Sequence, residues 1–168
     1  MTHLTKAIFV VAALGLGACT NPDQLAGNGA GTGANAMAPV DPASNPNSPA
    51  YFNQTIGDRV LFAVDTSTLT PEGRATLTAQ AGWLQGNSEY AAIIEGHADE
   101  QGTREYNLAL GARRANAVSE FLISQGIAAS RLRTLTYGKE RPLEVCSAEA
   151  CYAKNRRAVT VISAGAGV

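Results

Sequence analysis

Ala91-Ala92-Ile93-Ile94-Glu95-Gly96-His97-Ala98-Asp99-Glu100-Gln101-Gly102-Thr103 passes from an apolar run through a polar turn to a helix-capping residue. Its near-continuous apolar part, Ala91 to Glu95, predicts a strand. Thr103 then predicts the N-cap of a helix, with Glu105 in the first turn against the positive helix end and Gly126 closing the helix after Gln125. A polar turn between a strand end and a helix N-terminus is the edge at which open α/β sheets hold ligands.

Upstream, Val60, Phe62 and Val64 alternate onto one face of a strand, and Leu77, Ala81 and Leu84 fall at i, i+4 and i+7 of a helix. Thr70 caps that helix, Pro71 occupies its first position and Glu72 faces its positive end. Downstream, Leu132 to Tyr137 and Arg157 to Ile162 read as two more strands, with Ser147-Ala148-Glu149 starting a short helix by the same capping pattern. The order is β-α-β-α-β-(short α)-β. This alternation predicts an α/β domain with helices packed on a sheet that is at least partly parallel, and it leaves the strand order open.

On the second helix Leu110, Ala117, Val118 and Phe121 form an apolar stripe, and Arg114 falls inside it. A guanidinium there needs a partner or a route to water, so Arg114 is either a structural ion-pair residue or an anion receptor. Arg113 points about 100° away and reads as a solvated charge. Asp99 is either a cap of its own turn or a ligand group. His97 lacks a nucleophile beside it, and His97 with Asp99 makes only two ligands of a metal set. Arg156 and Arg157 enter the last strand on opposite faces, so at most one of them serves the same cleft as Arg114.

The 168 residues leave room for one core. A net charge of -1 and a pI near 6.1 exclude the basic footprint of a general nucleic-acid binder. Lys6 followed by apolar Ala7 to Leu16 reads as a signal peptide over residues 1–18, too short for the roughly 20 residues that cross a bilayer. Leu16-Gly17-Ala18-Cys19 resembles the bacterial lipobox, which implies lipidation of Cys19, and Thr20 in place of an Asp points to the outer membrane. Residues 19–50 then read as lipidated cysteine and tether, rich in Gly, Ala, Asn, Pro and Ser. The folded domain is expected over 51–164, with a tail at 165–168. Export favours a disulfide between the two remaining cysteines, Cys146 and Cys151, over two free thiols.

The run Ile94 to Thr103, with Glu105-Tyr106-Asn107-Leu108-Ala109-Leu110-Gly111 and Arg113-Arg114-Ala115-Asn116-Ala117-Val118, resembles the OmpA-like peptidoglycan-binding domain family. Within it, the resemblance is to the peptidoglycan-associated lipoproteins. Ser67 to Glu72, Tyr137 to Pro142 and Ala153 to Val159 extend the similarity over about Arg59 to Ile162.

The resemblance implies a two-layer α/β domain with a mixed four-stranded sheet and no enzymatic activity or cofactor. It implies non-covalent binding of the stem peptide of peptidoglycan at meso-diaminopimelate, with Asp99 on the ammonium and Arg114 on a carboxylate. Asp65, Asn107 and Arg156 match further cleft positions. It also implies a TolB-like periplasmic propeller as second partner within the Tol-Pal system, which ties outer membrane to cell wall and serves envelope integrity and cell division. Ala63 stands where the family commonly has an Asp, which removes one expected contact. Two other readings are a lipid-anchored OmpA-like protein outside the Tol system and an anchored envelope hydrolase, for which the chain offers no complete catalytic set.

Overall fold

The computed structural model describes residues 41–164. The expected signal peptide, the lipid site Cys19, residues 20–40 of the expected tether and the tail at 165–168 lie outside the described residues.

Structure begins inside the stretch assigned to the tether. A 3-10 turn at Pro42–Ser44 leads to α1 (Pro49–Tyr51), capped by the Ser48 hydroxyl and continued by a π-helical segment, Phe52–Gly57. Phe52 is fully buried against Trp83, whose indole N–H donates to the Pro46 carbonyl at 2.7 Å. One aromatic anchor and one satisfied indole thus bind a Pro- and Asn-rich segment whose composition alone predicts no packing.

The remaining elements are β1 (Arg59–Leu61), α2 (Pro71–Gly86), β2 (Tyr90–His97), α3 (Arg104–Ser124), β3 (Leu132–Gly138), α4 (Glu149–Asn155) and β4 (Arg157–Ala164). The sheet order is β1-β4-β2-β3. The last strand inserts antiparallel between β1 and β2, while β2 and β3 run parallel across α3. The expected mixed α/β sandwich is therefore the observed architecture.

Helices α2 and α3 cover one face of the sheet and close the core, in which Leu77, Leu84, Ile94, Val118 and Leu122 are all fully buried. Each such side chain contributes roughly 2 kcal/mol relative to exposure. Gln80 and Thr160 share a buried hydrogen bond of 2.8 Å, and Gln80 also donates to the Gly57 carbonyl at 2.7 Å, so this polar pair inside the core is satisfied. The seam between α3 and the sheet is set by glycines. A Cβ on Gly96 would stand 1.8 Å from the Gly111 carbonyl oxygen, so β2 and α3 approach at a distance open only to glycine.

Two local expectations need correction. The first strand stops at Leu61, and Val64 is not on its buried face but 57% exposed. After Phe62 pairs with the Arg156 carbonyl, the carbonyls of Ala63 and Thr66 are taken by the Arg114 side chain, which bends the chain away from the sheet. The short helix α4 is capped by the backbone of Ala148 with no side-chain hydrogen bond, and not by Ser147. The bonded cysteines hold that turn instead, since Cys146 is joined to Cys151 in the first turn of α4 with Cα atoms 6.0 Å apart.

Candidate functional site

Where β2 ends, its chain, the start of α3 and the segment after β1 surround a cavity of about 320 Å³. Val64 and Asp65 after β1, Tyr106 and Asn107 of α3, and Asp99, Gln101 and Gly102 of the turn line it. The turn holds this shape through several hydrogen bonds. Thr103 caps α3 at the Tyr106 N–H, Asn107 donates to the Gln101 carbonyl at 2.7 Å, and the Lys139 ammonium donates to the Gly102 carbonyl at 2.7 Å. Gly102 has φ of 88°, which frees the turn from the penalty a side chain would carry there.

Asp99 is 8% exposed. Its Oδ1 accepts the Gln101 N–H at 3.2 Å and its Oδ2 accepts Arg156 Nη1 at 3.1 Å. It is the cap of its own turn, as one sequence reading had it, and it also lines the cavity. Asp65 has φ of 54°, a left-handed conformation that Asp tolerates, and it accepts a hydrogen bond from the Tyr106 hydroxyl. The guanidinium of exposed Arg113 lies 5.9 Å from the centre of the Tyr106 ring.

Arg114 does not line the cavity. It is 0% exposed and lies behind the Phe62 to Thr66 segment, 5.2 Å from the Phe62 ring centre. Nε donates to the Thr66 carbonyl at 2.8 Å, Nη1 to that of His97 at 2.8 Å and Nη2 to that of Ala63 at 3.2 Å. Burial pulls its pKa down to about 10, opposed mainly by the negative charge of Asp99, so it stays a cation at neutral pH. Three of its five N–H donors are engaged. Arg114 is thus a buried staple between strand end and loop as well as the positive pole beneath the cleft.

Arg156 stands directly behind Asp99, with Nε on the Phe62 carbonyl at 3.3 Å. Its other guanidinium edge forms an ion pair with Glu149. The hydrogen bonds it donates, to Glu149 first and then to Asp99, raise its pKa against the cost of burial. Arg157 turns the other way, to the carbonyls of Asn155 and Arg141, so only one of the two arginines stands behind Asp99.

His97 also points away from the cavity. It is 2% exposed beside the Tyr137 ring, and neither ring nitrogen has a hydrogen-bond partner among the described residues. Burial, with smaller contributions from the nearby positive charges of Arg157 and Arg141, lowers its pKa to about 4. Among the described residues no three His, Cys, Asp or Glu side chains are grouped to hold a metal ion.

Of the five residues expected at the cleft, Asp65, Asp99 and Asn107 line it, whereas Arg156 and Arg114 back it. Tyr106, Lys139 and Glu149 were not singled out. Glu149 had a legible signal, because Glu149 and Arg156 are seven residues apart and so share one face of α4 and its C-terminal turn. Tyr106 had a weaker one, standing one turn before Leu110 on α3.

The OmpA family model matches residues 61–156. The peptidoglycan-associated lipoprotein of Mesorhizobium japonicum is 48% identical over 99% of this chain and 96% of its own length. That of Pseudomonas aeruginosa is 36% identical over 94% and 97%. The crystal structure of the peptidoglycan-associated lipoprotein from Burkholderia pseudomallei superposes with a TM-score of 0.64 at 36% identity, over 73% of this chain and 100% of that one. The C-terminal domain of Helicobacter pylori MotB, 21% identical with a TM-score of 0.60 over 65% of this chain and 86% of that one, shares the fold. A family match across the cleft, with relatives of this identity over nearly the whole length, shows that the chain belongs to the OmpA family and, within it, to the peptidoglycan-associated lipoproteins.

Proposed function

We propose that the cleft binds the stem peptide of peptidoglycan without covalent chemistry, and that it selects meso-diaminopimelate. The observation that carries this reading is the pairing of opposite charges around one cavity: the Asp99 carboxylate faces it while the Arg114 cation lies beneath its wall. The side chain of diaminopimelate ends in an ammonium and a carboxylate on one carbon. Asp99 takes the ammonium and the Arg114 pole draws the carboxylate. Arg114 is covered by the Phe62 to Thr66 segment, so direct contact requires the exposed Val64 and the left-handed Asp65 to move aside. Asn107 orients the turn, and Arg156 fixes Asp99.

Cys19 would carry the lipid that holds the chain on the outer membrane, with the Gly-, Ala- and Asn-rich residues 20–40 linking it to the domain. This arrangement ties membrane to wall, and the relatives' shared name supports it. A TolB-like propeller protein is the second partner expected in that setting. The test is a pulldown of the chain with purified sacculi, with and without added diaminopimelate. Co-sedimentation that free diaminopimelate abolishes is the expected result; no co-sedimentation, or binding indifferent to diaminopimelate, refutes the reading.

A further inference from the structure

We propose that Glu149, held at the start of α4 by the Cys146–Cys151 ring, is a positioning residue for the cleft: by neutralising Arg156 it leaves the Asp99 carboxylate to a ligand's ammonium. This rests on the stem-peptide reading above.

The difficulty it resolves is electrostatic. Asp99 and Arg156 are 3.1 Å apart, and the Arg156 side chain is 5% exposed. A carboxylate so close to a buried guanidinium is already compensated, and an ammonium arriving at Asp99 would also meet the positive charge behind it. Glu149 takes that charge from the far side. Its carboxylate meets Nη2 in an ion pair and accepts from Nη1 at 3.4 Å, a two-point grip on the edge turned away from the Phe62 carbonyl. Arg156 in turn holds the Glu149 carboxyl below its usual range. Glu149 adds a negative charge on the far side of Arg156 from Asp99, and that charge offsets the cation an arriving ammonium would otherwise meet.

Glu149 is itself 66% exposed and has no burial to fix it. Its place comes from the frame around it. The bonded cysteines close a ring that contains it, and Asn155 at the other end of α4 accepts the N–H groups of Leu143 and Glu144 at 2.7 and 3.0 Å and donates to the Glu144 carbonyl at 2.8 Å. A short helix with no side-chain cap is thereby held at both ends, with Glu149 and Arg156 on the same face.

The test compares the wild-type full chain in detergent with Glu149→Gln and Glu149→Asp. Each is titrated with a diaminopimelate-type stem peptide and with the same peptide acetylated on the side-chain amine. Glu149→Gln should weaken the first roughly five- to tenfold, as expected for one screened unit charge at this range, and leave the acetylated peptide as tight or tighter. Glu149→Asp, which keeps the charge, should stay within about threefold of wild type. Equal losses for both peptides would mean a structural role and overturn the proposal, as would an unchanged affinity or a Glu149→Asp variant no better than Gln. If the wild type binds neither peptide, the stem-peptide reading fails and takes this proposal with it; if it binds normally and Glu149→Gln changes nothing, only this proposal fails.

Discussion

Replacing Arg114 by lysine keeps the charge beneath the cleft and removes the fork. The guanidinium spans three backbone carbonyls, at Thr66, His97 and Ala63, that lie in different directions around it. A lysine ammonium is a point donor on a flexible stem and reaches one of them. Two hydrogen bonds to a charged group are then lost at a fully buried site, each worth about 1.5–3 kcal/mol, less what water and relaxation recover. A net loss of about 3 kcal/mol follows. For a domain of this size 1 kcal/mol shifts the midpoint by about 3–5 °C, so Arg114→Lys should melt about 10–15 °C below wild type. Thermal unfolding followed by circular dichroism measures it, with Arg113→Ala as the control. Arg113 is exposed and should cost under about 1 kcal/mol. A midpoint for Arg114→Lys within about 3 °C of wild type would refute the staple and return Arg114 to a purely ligand-binding role.

Asp99→Asn keeps an oxygen for the Gln101 N–H while Arg156 keeps Glu149, so the fold should survive; affinity for a diaminopimelate-type peptide should fall by about 1.5–3 kcal/mol in calorimetric titration. His97, neutral when folded with a pKa lowered to about 4, favours the fold above the ordinary histidine value near 6.5, and that contribution is lost as pH falls toward 4. It amounts to on the order of 3 kcal/mol, and His97→Phe, which forfeits no hydrogen bond, should remove this part of the acid destabilisation in denaturant titrations at stepped pH. Cys146→Ser with Cys151→Ser opens a six-residue ring, which should cost about 2 kcal/mol of stability. Sacculus binding should persist in that variant, weakened less than about fivefold, because Asn155 still holds the loop.

The layered fold was legible because local and tertiary preferences agree. Thr70 and Thr103 cap α2 and α3 as their sequence contexts indicate, and the apolar runs of β2, β3 and β4 appear where periodicity places them. What escaped depends on contacts far apart in the chain. The alternation Val60-Phe62-Val64 would continue β1, but Arg114, some fifty positions later, captures the carbonyls that a longer strand would need. Strand order depends on the insertion of β4 between β1 and β2, which no local pattern encodes. At the cleft, Asp99 was readable from the turn between β2 and α3, whereas Asp65 after β1 and Asn107 on α3 came only from the family resemblance. The two arginines were identified by position but not by task, since the carbonyls engaging Arg114 leave no mark on side-chain composition. Residues 41–50 looked like tether because their order is secured by Trp83 and Phe52 rather than by their own apolar content.

The central claim is two-sign recognition of the diaminopimelate end group, and calorimetric titration of the wild-type chain with matched diaminopimelate-type and lysine-type stem peptides tests it most directly. Both peptides offer an ammonium to Asp99, but only the first offers a carboxylate to the Arg114 pole. The account predicts at least about a tenfold preference for diaminopimelate, equivalent to about 1.4 kcal/mol. Equal affinity for the two peptides would contradict it.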